Sequence, residues 1–330
     1  MQHVRYGKTG LQVSRLCLGT MTFGLQSDEA TSFKILDAAA EGGITFLDTA
    51  DVYPLGGTPE TAGRTEAIIG KWLRGKRDNF IVATKCSGKM GNLPWQQGLS
   101  RKHVLDAIDA SLKRLGTDYV DLYQVHLLDG ITPTDEILEA FDTVFRSGKA
   151  RYIGCSNYQA WRLARSLGRS EALGIAKFIS VQPRYNLLFR QFERELFPLC
   201  EEEGIAVIPY NPLAGGLLTG KHKGAGGPPE GSRFTLGTAG QMYTDRYWHE
   251  REFTAIESIS KLAKEAGVDI TTLAVAWVAA NPVITSPILG ASKPEQLKAS
   301  MAAAEYKLDP ALKAKLDELT YEFRMGDAIR

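Results

Sequence analysis

The chain has 330 residues, 44% of them hydrophobic, and its 39 basic and 38 acidic side chains leave a formal net charge of +1. Such a balance argues against nucleic acid as the main partner, because nucleic-acid-binding domains carry clustered basic charge. No apolar run is long enough to span a membrane, and the first ten residues contain no apolar signal-peptide core, so we expect a cytoplasmic protein. The four cysteines lie far apart, which favours buried, reduced thiols over disulfides or a metal site.

The N-terminal residues predict a β-hairpin, because two extended segments flank the turn residues Lys8-Thr9-Gly10. The chain then alternates between short apolar runs and longer segments with apolar residues at helical spacing. The apolar runs predict eight strands: 16–19, 44–48, 80–84, 119–126, 151–155, 178–182, 205–209 and 287–289. Helices are predicted between and after them: 28–41, 65–74, 100–115, 132–148, 158–167, 192–203, 253–266, 271–280, a helix from a Ser292/Glu295 capping box through Met301, and one from Asp309-Pro310.

The segment 219–250, after the seventh of these strands, breaks the alternation. It is rich in Gly and Pro between Gly224 and Gly231 and shows no clear period, so we interpret it as a long loop. A disordered surface loop is one possibility. Large side chains within it favour a partly ordered loop: Arg233, Tyr243, Tyr247 and Trp248.

Eight strand–helix units in succession predict a closed (β/α)₈ barrel of the TIM type, formed by one domain over residues 1–330. The structural rival is an open, doubly wound sheet. That fold would need a glycine-rich dinucleotide fingerprint after its first strand, and the sequence from Gly19 to Gly24 does not supply one.

Polar residues follow the ends of successive predicted strands, and in a barrel all of them face one bowl. Each has an ordinary alternative interpretation, such as a solvated lysine, a semi-buried histidine, or a helix cap. Their occurrence together favours a site. They are Asp48 with Tyr53, Lys85, His126, Ser156 with Asn157, Gln182, and Tyr210.

Three of these side chains form a chemically sensible group. A free phenol has a pKa near ~10 and is a weak acid at neutral pH, but a neighbouring ammonium lowers that value. We therefore expect Asp48 to hold Lys85 charged, and Lys85 to make Tyr53 a usable general acid. His126 could direct a carbonyl oxygen toward Tyr53. The hydride for such a reduction must come from a cofactor, because no side chain donates one.

With these residues in place, the sequence resembles the aldo-keto reductases over nearly its whole length, and most closely the branch of bacterial general reductases and potassium-channel β-subunits. The order and spacing of the matching segments are specific as a set. The segments are 48–53 (Asp-Thr-Ala-Asp-Val-Tyr), 83–85 (Ala-Thr-Lys), 126–129 (His-Leu-Leu-Asp), 154–158 (Gly-Cys-Ser-Asn-Tyr), 182–186 (Gln-Pro-Arg-Tyr-Asn), 210–218 (Tyr-Asn-Pro-Leu-Ala-Gly-Gly-Leu-Leu) and 290–292 (Gly-Ala-Ser) with Gln296-Leu297.

The resemblance implies a catalytic tetrad of Asp48, Tyr53, Lys85 and His126. It also implies residues for an NADP(H) cofactor: Ser156, Asn157 and Gln182 at the nicotinamide amide, Tyr210 on its ring, Pro212, Leu213, Gly215 and Leu217 along the pyrophosphate, and Gly290, Ser292 and Gln296 near the adenosine phosphate. Backbone N–H groups at the helix start beside Ser292 suit an anion on physical grounds as well. No metal is expected, and the 219–250 loop is expected to cover the cofactor as a lid.

The sequence departs from that branch at Ala299-Ser300, where Glu-Asn is usual near the adenine. Lys293 could still contact a 2′-phosphate, so we favour NADP(H) over NAD(H). The favoured function is an NADP(H)-dependent reductase of aldehydes or ketones. Alternatives are a slow-turnover, redox-sensing regulatory subunit and a reductase specialised for sugars or sugar nucleotides. A metal-dependent hydrolase is remote, because only His126 of the five histidines ends a strand. The expected partner is a small carbonyl compound, and monomer or homo-oligomer stays open.

Overall fold

The fold is an eight-stranded parallel barrel with an N-terminal hairpin, as predicted. The structure, a computed structural model, describes residues 1–224 and 227–325. The hairpin strands β1 and β2 are antiparallel, and the eight barrel strands pair in chain order, with β10 returning to β3. The strands are β1 His3–Arg5, β2 Gln12–Ser14, β3 Cys17–Gly19, β4 Phe46–Asp48, β5 Ile81–Cys86, β6 Val120–Val125, β7 Ala150–Ser156, β8 Ser180–Gln182, β9 Ala206–Val207 and β10 Ile288–Gly290.

The barrel closes between β9 and the segment that leads into β10. The N–H of Thr285 donates to the carbonyl of Val207 at 2.8 Å, and the N–H of Ile288 donates to the carbonyl of Pro209 at 2.8 Å. Parallel bridges join Val207 to Ile284 and Tyr210 to Ile288. β9 and β10, the two ends of the hydrogen-bonded strand order, are therefore neighbours in space.

The hairpin covers the N-terminal end of the barrel. Tyr6 and Val13 are buried among inward side chains of the barrel, and the Tyr6 ring meets Phe46 edge-on with centroids 5.9 Å apart. The turn is held by the N–H of Lys8, which donates to the carbonyl of Gly204 at 2.9 Å. With this end closed, the open end lies at the carboxyl termini of the strands.

The helices largely follow the prediction, except that the helix predicted over 158–167 continues to Leu173 and ends at Gly174. Asp28, Ser100 and Asp309 accept N–H groups from the first turns of their helices, as N-cap residues do. The helices are α1 Glu29–Glu41, α2 Arg64–Leu73, α3 Arg101–Leu115, α4 Thr134–Arg146, α5 Ala160–Leu173, α6 Leu196–Glu203, α7 Gly237–Tyr247, α8 Glu250–Glu265, α9 Ile270–Ala279, α10 Leu297–Ala302 and α11 Pro310–Leu319.

Two predictions about helices were wrong. The 219–250 loop contains the helix α7, although residues 225 and 226 of that loop lie outside the described part of the chain. The capping box at Ser292 is absent, because Lys293 is extended (φ −145°, ψ 146°) and precedes a short 3₁₀ turn. Pro294 explains the shift, since a residue before proline is disfavoured in the helical region.

The four cysteines are free and buried, as expected. No helix in the described ranges is long and apolar enough to cross a membrane.

Candidate active site

The four side chains of the predicted tetrad come together at the carboxyl ends of β4, β5 and β6. Asp48 ends β4, Lys85 is the penultimate residue of β5, and His126 follows β6 directly. Asp48 and Lys85 are buried, whereas Tyr53 and His126 are partly exposed. A charged pair therefore lies beneath two groups that solvent or a ligand can reach.

The buried pair is held by a dense set of hydrogen bonds. Lys85 Nζ lies 2.5 Å from Asp48 Oδ1 and donates to the carbonyl of Thr49 at 2.7 Å. The other carboxylate oxygen, Asp48 Oδ2, accepts from Gln182 at 2.8 Å and from Gln124 at 3.2 Å. Burial alone would lower the pKa of Lys85, but Asp48 and Tyr53 raise it, and the net pKa is raised. The ammonium therefore stays charged.

Two glutamines support this pair in a way that the sequence did not indicate. Gln182 was expected to hold a nicotinamide amide, but its side-chain nitrogen here donates to Asp48. Gln124 was not singled out at all. Its signal was a polar residue within the apolar run of β6, paired in register with Lys85 on the neighbouring strand.

Tyr53 lies against Lys85, with the ammonium 5.2 Å from the centre of its ring. Burial raises the pKa of Tyr53 to about 12, and Lys85 opposes this only in part, with Asp48 raising it further. The expectation that Lys85 would bring the phenol pKa below its ordinary value was therefore wrong for the net result. The physical reason is that Asp48 offsets much of the ammonium charge, while the phenolate loses its hydration.

His126 meets Tyr53 edge-on, with ring centroids 5.6 Å apart and an interplanar angle of 83°. Burial, with the charge of Lys85 adding to it, lowers the pKa of His126 to about 3. The imidazole is therefore neutral near pH 7 and keeps one ring N–H as a donor. Its backbone is fixed from both sides, by the carbonyl of Cys86 at 3.0 Å and by the side-chain amide of Asn157 at 3.0 Å.

The residues predicted for the nicotinamide form one hydrogen-bonded chain. Tyr210 donates to Asn157 Oδ1 at 2.9 Å, and Asn157 Nδ2 donates to Ser156 Oγ at 2.9 Å. Ser156 Oγ in turn donates to the carbonyl of Gln182 at 2.8 Å. Asn157 has a left-handed backbone (φ 60°), which Asn tolerates better than most residues. These bonds connect the Tyr210 hydroxyl to Asn157, whose side chain also contacts the His126 carbonyl.

The loop after β9 carries the residues predicted for the pyrophosphate: Pro212, Leu213, Gly215 and Leu217. Ala214, Gly215 and Gly216 are all left-handed, with φ of 49°, 71° and 105°. A side chain at Gly215 would come within 2.7 Å of the Tyr243 ring, so only glycine fits there. Asn211 Oδ1 accepts the N–H of Gly215 at 2.7 Å.

The backbone is open at two glycines of the segments predicted to contact a cofactor, which is compatible with a dinucleotide. A Cβ added at Gly290 would meet no atom within 4 Å, and one at Gly216 would meet none closer than 3.9 Å. Glycines in such positions permit the close approach of a phosphate-bearing ligand to the main chain.

At the position predicted for the adenosine phosphate, Lys293 is exposed beside Ser292. Gln296 Oε1 accepts the N–H of Ser292 at 2.8 Å and lies 3.3 Å from its hydroxyl. A phosphate bound at Ser292 would therefore have to replace Gln296 at the Ser292 amide. The anion site stays a prediction.

Helix α7 and the turn before it extend over this end of the barrel. Leu236 lies against Gly56, where an added Cβ would be 3.0 Å from its Cγ, and Arg233 Nη1 lies 3.5 Å from the Met21 sulfur. Tyr243 contributes to the raised pKa of Tyr53. The described part of the 219–250 loop is thus an ordered element beside the candidate site.

A second buried group of charges lies behind the loop that carries Tyr53. Glu66 accepts from Thr84 Oγ1 at 2.5 Å and from Arg114 Nε at 2.7 Å. Asp51 is fully buried beside it, and neither of its carboxyl oxygens has a hydrogen-bond partner among residues 1–224 and 227–325. Burial, followed by the charge of Glu66, raises the pKa of Asp51 well above its ordinary value. The sequence suggested no role for Asp51 beyond its place in the matching segment 48–53, and none for Glu66 or Arg114.

Comparison with known proteins agrees with this geometry. The model of the aldo/keto reductase family matches residues 15–320. The chain is 40% identical over 326 residues to the uncharacterized oxidoreductase YrpG of Bacillus subtilis (strain 168), covering 97% of this chain and 96% of that protein. It is 35% identical to a probable voltage-gated potassium channel subunit beta of Arabidopsis thaliana, covering 97% and 96%.

A third relative is the versiconal hemiacetal acetate reductase of Aspergillus parasiticus, which is 34% identical over 340 residues, covering 94% of each chain. The barrel, the cluster at its carboxyl end and these matches agree on one assignment. The chain belongs to the aldo/keto reductase family and is an NAD(P)-dependent oxidoreductase.

Proposed function

We propose that this protein reduces aldehyde or ketone carbonyls to alcohols, with NADPH as the cofactor and Tyr53 as the proton donor. The observation that carries the proposal is the buried Asp48–Lys85 pair beneath the partly exposed Tyr53 and His126. When bound, NADPH supplies the hydride to the carbonyl carbon.

Tyr53 provides the proton that the carbonyl oxygen needs as it becomes an alcohol oxygen. Its pKa of about 12 keeps the phenol protonated at neutral pH, so Tyr53 has a proton to donate. An alcohol is a weaker acid than this phenol, so proton transfer from Tyr53 to a developing alkoxide is downhill. The ammonium of Lys85 stabilises the phenolate that remains, and Asp48 keeps the ammonium in place.

His126 orients the substrate in this proposal. A neutral imidazole with one N–H can donate to the carbonyl oxygen without taking its proton, which suits its pKa of about 3. Because its backbone is held at both the N–H and the carbonyl, the ring can be aimed without reorganisation during the reaction.

The proposed cofactor contacts are those implied by the resemblance, supported by the left-handed loop after β9 and the open backbone at Gly290. We propose NADP(H) over NAD(H) because Lys293 is exposed at the predicted adenosine end and carries a charge that a 2′-phosphate would attract.

A regulatory role with slow turnover is the second candidate, and its support is the likeness to proteins named as potassium channel β-subunits. The phenol, ammonium, carboxylate and imidazole at one site favour an enzyme, since a binding subunit has no need of a proton donor. An apparent turnover number far below the ~1 s⁻¹ of ordinary enzymes for every carbonyl tested would favour the regulatory role.

The test is steady-state oxidation of NADPH with a panel of simple aldehydes, ketones, sugars and sugar nucleotides. Tyr53→Phe is expected to bind NADPH like the wild type and to lose turnover by ~10²–10⁴, the usual contribution of a general acid. Tyr321→Phe makes the same chemical change at an exposed tyrosine and should leave turnover unchanged. Near-wild-type turnover in Tyr53→Phe would remove Tyr53 from the mechanism.

A further inference from the structure

We infer that Tyr247 is a positioning residue that couples helix α7 to the loop after β9, so that this single hydroxyl controls how fast the cofactor leaves. The inference rests on the proposed function, in which residues of that loop contact the cofactor. It concerns the release step, whereas the tetrad concerns the chemistry.

Asn211 shapes the loop on one side of this coupling. Its own backbone is left-handed (φ 66°), and three further left-handed residues follow it within five positions. Its side-chain oxygen accepts the N–H of Gly215 at 2.7 Å, and its carbonyl accepts from Asn186 Nδ2 at 3.0 Å. The path of the main chain at Gly215 therefore depends on where the Asn211 side chain lies.

Tyr247 joins that side chain to α7. The tyrosine is fully buried at the last turn of the helix, and its hydroxyl accepts from Asn211 Nδ2 at 3.1 Å and from Asn186 Nδ2 at 3.0 Å. Two amide donors therefore meet one phenol oxygen, and both acceptor positions of that oxygen are used. Movement of α7 away from the barrel would leave both amides without this acceptor, which is costly in a buried place.

Tyr243 lies one turn before Tyr247 on the same face of α7 and makes a second contact with the loop. Tyr243 packs directly on Gly215, where an added Cβ would lie only 2.7 Å from its ring. Residues at this spacing share one face of a helix. Helix α7 therefore contacts both ends of the Asn211–Gly215 turn, through Tyr247 at Asn211 and Tyr243 at Gly215. We expect the helix and the turn to move away from the barrel together.

The test of this inference measures the rate of NADPH release from Tyr247→Phe and from the wild type by stopped flow. The variant keeps the ring and loses two hydrogen bonds, so release is expected to be about five- to tenfold faster, with a corresponding loss of affinity. The kcat at saturating NADPH should not fall, because the tetrad is untouched. Unchanged release in this variant would overturn the inference.

A matched control and a double variant separate coupling from general destabilisation. Tyr123→Phe also removes a buried hydroxyl, one that donates to the carbonyl of Val104 at 3.2 Å, and should not change NADPH release. Asn211→Gly keeps the left-handed backbone accessible while removing the side chain. It should accelerate release similarly, and the double variant with Tyr247→Phe should be no faster than the faster single variant. Additive effects would show two independent contributions and would contradict the coupling.

A measurement without cofactor distinguishes failure of the inference from failure of the proposed function. Hydrogen–deuterium exchange in the free protein should become faster in Tyr247→Phe both in α7 and in the 211–216 loop, and not in Tyr123→Phe. Faster exchange in α7 alone would refute the coupling whatever the protein binds. Absence of NADPH binding by the wild type would instead refute the proposed function, and the exchange result would still decide whether helix and loop open together.

Discussion

The strongest test of the site is removal of the buried ammonium by Lys85→Met. The methionine fills a similar volume but leaves the carboxylate of Asp48 without its ionic partner, 2.5 Å away in the wild type. Asp48 keeps its contacts to Gln182 and Gln124, so the pocket should retain its shape. Tyr53 loses both the charge and the hydrogen bond of Lys85, which lower its pKa, so the pKa of Tyr53 should rise further.

The expected cost in stability follows from the burial of both groups. Removing one partner of a buried ion pair costs ~3–5 kcal/mol, and the two remaining glutamine contacts place this case toward the lower value. For a chain of this size that corresponds to a fall in Tm on the order of ~10 °C or less. Turnover should fall by ~10²–10⁴, because proton donation from Tyr53 loses the charge that stabilises its phenolate.

Thermal unfolding and NADPH oxidation measured on the same samples separate these effects. The double variant Lys85→Met/Asp48→Leu removes both charges, and replacing a whole buried pair by apolar residues is often neutral for stability. It should recover most of the lost Tm and none of the lost turnover. Recovery of turnover in the double variant, or wild-type turnover in Lys85→Met, would refute the role given to the ammonium.

Three further predictions concern His126, Asp51 and Lys293. The pKa of His126 is lowered to about 3, so its neutral form contributes stability that is full above the unfolded pKa near ~6.5 and is lost as the pH falls toward the folded pKa. The NMR signals of its ring should therefore not titrate between about pH 5 and about pH 8. A titration near ~6.5 would contradict this. The pKa of Asp51 is raised, so its effect on stability runs the other way: its contribution is full below the unfolded pKa near ~3.9 and is lost as the pH rises. The Tm of Asp51→Asn should therefore increase relative to that of the wild type as the pH rises from about 5 to about 9. A difference in Tm that does not depend on pH would show that Asp51 is not protonated in the folded protein. Lys293→Ala should weaken NADPH binding by about tenfold to a hundredfold and leave NADH binding almost unchanged, as measured by fluorescence titration; an equal loss for both cofactors would place Lys293 away from the 2′-phosphate.

The placement of the tetrad could be predicted from the sequence because it depends on local patterns and one topological rule. Each strand is a short apolar run, and Asp48, Lys85 and His126 each stand at or just beyond the end of one. In a parallel barrel those ends share one rim, so residues far apart in the chain meet without further information.

The electrostatics of the site could not be predicted in the same way. Lys85 was expected to lower the pKa of Tyr53, yet the net value is raised to about 12. The outcome depends on how much water the fold removes from the phenol and how strongly Asp48 offsets the ammonium. Both are distances and burials that no residue pattern encodes. Gln124 and Glu66 were missed for the same reason, since each acts through a partner on another element.

Local sequence signals predicted most helices, and the two wrong predictions concern the capping box at Ser292 and helix α7. The capping box does not form because Pro294 disfavours a helical backbone at Lys293, which is extended instead. Helix α7 had no apolar period to reveal it, because its stabilising contacts are specific polar and aromatic ones, such as the Tyr247 hydroxyl with Asn186 and Asn211.

The sequence by itself determined the strands, their number and order, and the residues at their ends, because hydrophobic periodicity and chain order act within each segment. Only the tertiary structure decided the protonation of Tyr53 and His126, the support of Asp48 by two glutamines, and the fastening of α7 to the loop after β9. These depend on burial and on contacts between residues distant in the chain, which exist only once the barrel has closed.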